Sequence, residues 1–119
     1  MSIKPQFAEA IANGKKRYEY RRRIFARRVD TIVVYATRPV GLAIGEFDVR
    51  DVLCEDLDAL WSATSVHGGI DEEYFRTYFI GKKKGYAIMI GKFRKYSKPY
   101  RIESVLGVRP PQSFLYISQ

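Results

Sequence analysis

The sequence is poor in the residues from which most catalytic and metal centres are built. It holds one cysteine, one histidine and one tryptophan in 119 residues. A lone cysteine excludes an intramolecular disulfide and a cysteine-built zinc site. Cys54, between Leu53 and Glu55, has no neighbour that would activate its thiol and reads as structural. One histidine, His67, cannot furnish a typical three-ligand catalytic metal site, so neither a metal nor another cofactor is expected. Next to Gly68-Gly69 it reads as a surface-loop histidine rather than a proton shuttle. No apolar run approaches the ~18–20 residues of a membrane span, and the N-terminus has no charged-then-apolar leader. A cytoplasmic protein with no membrane partner is therefore expected. Repeats, linkers and low-complexity stretches are absent too, so residues 1–119 read as a single domain long enough for its own core.

Acidic residues are scarce at both ends of the chain. Residues 1–28 carry nine basic and two acidic side chains, and residues 76–109 carry ten basic and one acidic. Residues 46–73 reverse this, with nine acidic and one basic. The net charge of +8 leaves positive surface even if these segments neutralise one another. Such a surface has the sign expected for a nucleic-acid or nucleotide partner, single-stranded nucleic acid included, but polyanions of other kinds fit equally well.

Helical spacing of Phe7, Ala10 and Ile11 predicts a helix over residues 6–13, stopped by Asn13-Gly14. Residues 17–22 alternate as a strand, with Tyr18 and Tyr20 on one face and Arg17, Glu19 and Arg21 on the other. The β-branched run at 31–37 predicts a strand ending before Pro39. Residues 42–52 predict a longer one, with a bulge or bend at Gly45. Two short helices should follow, capped by Asp56 and Asp71. Trp61 and the stripe of Tyr74, Phe75, Tyr78 and Phe79 then read as core. Strands over 85–94 and 113–118 complete an α+β fold, plausible as a small β-barrel with an N-terminal helix and a central helical excursion.

The chemistry concentrates in Gly14-x-Lys16-x-x-Glu19-x-Arg21. The glycine turns the chain from helix into strand. Glu19 and Arg21 share a strand face, and Lys16 at the strand's mouth can reach the same space. A lysine, a carboxylate and an arginine together can bind a base edge and a phosphate. The bland alternative is an exposed Glu19–Arg21 pair. Arg17, Arg22, Arg23 and Lys4 surround the motif as candidate phosphate contacts, and Lys82, Lys83 and Lys84 could extend the same positive face. The tract around those lysines is no Walker loop, because a helix precedes it instead of following. Tyr96 and Tyr100 lie among lysines where they could stack on bases or sit half-buried in a hairpin. Ser113, after Pro110-Pro111-Gln112, could border the cleft as a hydroxyl donor.

Gly14, Lys16, Glu19 and Arg21 match the GxKxxExR motif, and the chain resembles the ASCH domain family of the PUA-like superfamily. The lead-in Ser2-Ile3-Lys4-Pro5, the segments 33–37 and 40–47, and the closing 110–114 resemble it as well. The resemblance implies a PUA-related β-barrel with a cleft between barrel and helices, lined by the motif. It implies an RNA- or nucleotide-binding role in RNA metabolism or in transcription or translation. The alternative is a hydrolase, either an amidohydrolase on N4-acylated cytidine or a ribonuclease. Lys16 and Glu19 would be the catalytic pair if chemistry occurs. The amidohydrolase branch has threonine where Glu19 stands, which weakens that activity for this sequence.

Overall fold

The order and pairing of the strands decide where the motif lies. The computed structural model describes residues 1–101 and the strand Tyr116–Ile117. In chain order the elements are β1 (Ser2–Ile3), α1 (Pro5–Ala12), β2 (Tyr18–Arg21), β3 (Thr31–Ala36) and β4 (Leu42–Asp56). Then come α2 (Leu57–Thr64), a 3-10 turn (Ser65–His67), α3 (Glu72–Tyr78), β5 (Lys84–Tyr100) and β6 (Tyr116–Ile117). The mixed sheet runs β1-β3-β4-β5-β2, and β6 pairs with β3 beside β1.

This α+β fold keeps the expected helix and helical excursion, but the sheet is not closed into a barrel. Its two edges are β1 and β2. β1 is two residues long and spends its pairing on β3, in parallel. No ladder joins it to β2 among the described residues. Instead the Arg21 side chain crosses the seam and Nη2 donates to the Ser2 carbonyl at 3.0 Å. The unclosed seam therefore leaves a concavity with motif residues along one lip.

Local chemistry accounts for the elements. Pro5 stands at the first turn of α1, where its missing N–H costs nothing. Ala8 and Ile11 are the buried face of that helix. At its end Gly14 adopts φ 81°, a left-handed conformation that glycine takes without strain. β3 is buried on both faces. Ile32, Val34 and Ala36 join Ile3, Ile11, Phe47 and Ile88 under α1, while Val33 and Tyr35 pack with Ala43, Tyr96 and Tyr100 on the other side. A second apolar cluster of Tyr20, Leu60, Phe75, Phe79 and Ala87 docks α2 and α3 onto the far end of β5.

The two long strands run past their expected ends because they pair with each other from Asp56↔Lys84 to Ala43↔Tyr100. Their ladder slips in three places, one beside Gly45 and two between Phe47 and Asp51. Asp56 and Asp71 cap α2 and α3 as expected, accepting from Ala59 N at 2.9 Å and Tyr74 N at 2.8 Å. Cys54, expected to be structural, is exposed on β4.

Candidate functional site

The seam between β1 and β2 opens into a cavity of about 160 Å³, walled by Ser2, Ile3, Lys4 and Phe7 on one side and Lys16, Glu19, Tyr20 and Arg21 on another. Ile70, Tyr74 and Tyr78 close it from the α3 side. Lys16 is 2% exposed and Glu19 is 8% exposed, so the pair is no surface ion pair. Lys16 Nζ stands 3.7 Å from Glu19 Oε1, and Arg21 Nη2 stands 3.3 Å from Glu19 Oε2. Glu19 is thus held between two cations, its orientation fixed from both sides.

A buried ammonium needs further partners. Lys16 Nζ donates to the Gly68 carbonyl, and it lies 5.1 Å from the Tyr20 ring centre and 5.4 Å from that of Phe7. Burial nevertheless dominates and lowers the Lys16 pKa from its ordinary 10.5, with Glu19 opposing the shift and Arg21 adding to it. The amine is therefore more ready than a surface lysine to give up its proton. Burial likewise raises the Tyr78 and Tyr20 hydroxyls, which remain protonated donors at neutral pH.

The segment 68–69 explains how a carbonyl reaches Lys16. A Cβ on Gly68 would fall 2.2 Å from the Tyr20 hydroxyl, and one on Gly69 2.9 Å from Lys16 Cγ. Only backbone fits between these side chains, and Gly69 also has φ +72°. The preceding residue contributes backbone too, since the His67 carbonyl accepts from Arg17 N at 2.7 Å while its side chain is exposed. Beneath the loop, Thr64 gives its single hydroxyl proton to the Leu60 carbonyl at 2.7 Å. Tyr20 is therefore the donor in its 2.7 Å contact with Thr64 Oγ1.

The fold thus gathers Lys4, Lys16, Glu19 and Arg21 around one cavity. Lys4 is exposed at its rim, with Nζ 5.4 Å from the Tyr74 ring centre. Arg22 and Arg23 are exposed beyond the strand, and the Arg22 guanidinium covers the Tyr78 ring at 5.2 Å. Arg17 leaves on another side, into a separate groove. Lys82, Lys83 and Lys84 are exposed and line neither concavity, Lys84 lying opposite Asp56. Ser113 lies outside the described residues. Tyr96 turns its hydroxyl to Glu46 Oε1 at 2.9 Å and stacks on Tyr100, away from the cavity.

Sequence reasoning missed Gly68, Tyr74 and Tyr78. The tyrosine–phenylalanine stripe divides in the structure: Phe75 and Phe79 are core, while Tyr74 and Tyr78 wall the cavity. The signal was present, since the two tyrosines are four residues apart and share a helix face.

This α+β fold, its sheet not closed into a barrel, matches solved ASCH structures. The ASCH domain model matches residues 1–98, and the chain belongs to that family. It is 33% identical over 122 residues to an ASCH domain-containing ribonuclease of Zymomonas mobilis subsp. mobilis, covering 98% of this chain and 82% of that protein. The crystal structure of ASCH from Zymomonas mobilis superposes with a TM-score of 0.89 at 32% identity, covering all of this chain and 86% of that one.

Proposed function

We propose that this chain binds single-stranded RNA and takes one nucleotide into the motif cavity. The observation carrying this reading is the buried Lys16–Glu19–Arg21 cluster inside a space of about 160 Å³ with aromatic walls. That space is below the ~300–1,000 Å³ of pockets for drug-sized ligands, and it suits a single flat ring. Unpaired bases, unlike those in a duplex, can be splayed out and stacked on tyrosine and phenylalanine. Glu19 accepts from an exocyclic amine, Arg21 keeps that carboxylate in place, and Lys4 and Arg22 at the rim meet phosphate. The kinship with a ribonuclease supports RNA as the polymer.

The test is affinity for short single-stranded RNA in Glu19→Gln and Arg21→Ala. Losing one oriented base contact costs ~1–3 kcal/mol, so the dissociation constant should weaken by about 5- to 150-fold. Unchanged affinity in both variants would refute the reading.

A second reading, strand scission at the same cavity, is favoured by the lowered Lys16 pKa and by kinship with a ribonuclease. Neutral Lys16 can keep donating an N–H to the Gly68 carbonyl while its lone pair takes a proton. In this scheme it accepts the proton of the ribose 2′-hydroxyl. That oxygen attacks the adjacent phosphorus, the P–O5′ bond breaks, and the 5′-oxygen takes a proton from water, giving a 2′,3′-cyclic phosphate and a 5′-hydroxyl. Lys16→Met should abolish the products, and a 2′-deoxy substitution at the cleaved position should block them in the wild type. Cleavage of the deoxy-substituted strand would rule the scheme out.

A further inference from the structure

We propose that a second groove, on the other side of Lys16, is a phosphodiester trough that carries the strand backbone leading to the motif cavity. The proposal rests on the reading that the cavity takes a nucleotide of single-stranded RNA. The groove, about 480 Å³, is lined by Gly14, Arg17, Arg50, Gly91 and Lys92 among others. No acidic residue is among its lining, and Lys16 is the residue it shares with the motif cavity.

Three exposed cations meet there, from β4, from β5 and from the connector before β2, and irregular backbone brings them together. Val49 faces Ile90 and Asp51 faces Met89, so Arg50 is an extra residue in β4 with no counterpart on β5. Phe47 faces Phe93 and Val49 faces Ile90, so β5 holds an extra residue across from Asp48, at Gly91-Lys92. Bulges re-aim side chains, and two successive ones on opposite strands act on Arg50 and Lys92 together. Arg17 is fixed beside them because its carbonyl accepts from Ile90 N at 2.9 Å and its N–H donates to the His67 carbonyl.

The charge of the trough is answered only at a distance, Lys92 acting on the Asp48 carboxylate through space. Arg17, Arg50 and Lys92 form no ion pair among the described residues. The nearest carboxylate beneath Gly91, Asp48, is taken by Arg94, whose Nη2 and Nη1 reach it at 2.7 and 3.0 Å. The C-terminal end of α1, which would repel an anion, has three of its last four carbonyls occupied: Glu9, Ala10 and Ile11 accept from Asn13, Lys16 and Gly14. Gly14, beside which a Cβ would meet open space, leaves backbone bare where a bulky chain must approach. A ligand filling both concavities across Lys16 needs a flat ring followed by successive anions, which describes a nucleic-acid strand.

The experiment compares wild type with Arg17→Gln/Arg50→Gln/Lys92→Gln, using a short single-stranded RNA and an abasic phosphodiester strand of equal length. A charge-matched control carries Lys82→Gln/Lys83→Gln/Lys84→Gln, of which Lys84 begins β5 eight residues before Lys92, roughly 25 Å at ~3.3 Å per residue. Each phosphate contact on a single strand contributes ~0.7 to the slope of log affinity against log salt, so the trough variant should lose a slope of about 2 for both probes. Its affinity at low salt should fall about tenfold or more, and the control should change less. If wild type binds RNA but the trough variant matches the control, the trough is wrong and the cavity reading stands. If the variant loses the abasic strand, yet wild type holds RNA no better than that strand, the trough stands and base capture falls. Failure of wild type to bind either probe overturns both.

Discussion

Lys16 concentrates the chemistry of this molecule in one side chain. Its burial disfavours the charged form, while Glu19 restrains the shift without reversing it. The consequence for stability has a definite sign. An unfolded lysine keeps its proton up to about 10.5, and the folded one releases it earlier. Between those values the unfolded chain binds more protons, so stability rises with pH. The contribution is complete above 10.5 and is lost as pH falls through the folded value. Wild type should therefore gain stability relative to Lys16→Met as pH climbs from neutral towards 10.5. Denaturant unfolding of the two proteins across that range measures it, and a flat or falling difference would contradict the assigned burial effect.

At the scale of elements, the site depends on helices that contribute no motif residue. α3 supplies Tyr74 and Tyr78 to the cavity wall, and its first turn is held by the Asp71 carboxylate. A helix of seven residues is too short to persist by itself. Its footing is the packing of Phe75 and Phe79 against Leu60, Tyr20 and Ala87, together with that cap. Asp71→Ala should cost about 1 kcal/mol of stability in denaturant unfolding. It should also weaken RNA binding several-fold, because the walls lose their fixed position. Equal stability with and without the carboxylate would show that packing alone sets the helix start. The Gly68-Gly69 loop belongs to this scale too, since α2 and the 3-10 turn deliver it onto Lys16.

Over the whole molecule, much of the basic charge is not used by the fold. The acidic stretch is partly answered within the chain: Arg94 holds Glu46 and Asp48, and Arg76 meets Asp58 at 2.8 Å and Glu72 at 3.1 Å. Such partly exposed pairs contribute ~0–1 kcal/mol each. The basic residues at the cavity rim and in the trough are exposed and face outward. Raising salt from low to moderate concentration should thus change unfolding free energy by no more than about 1 kcal/mol, whereas RNA affinity falls by orders of magnitude. Parallel denaturation and binding titrations test this. Salt-insensitive RNA binding would remove phosphate contact as the source of affinity.

Much of this was legible without coordinates. β-Branched residues at 31–36, the aspartate caps at 56 and 71 and the glycine stop at 14 act through neighbours in sequence, so local chemistry alone determined those elements. The spacing of Glu19 and Arg21 likewise placed them on one face, because a strand repeats every two residues, with Lys16 at the strand's mouth. Whether they faced water or a cavity was a tertiary matter, settled by β1 arriving beside them without closing the sheet. The same holds for the Gly68 carbonyl on Lys16 and for the bulges that gather Arg17, Arg50 and Lys92. Those arrangements depend on contacts between residues far apart in the chain, and strand register and burial exist only once distant segments have packed.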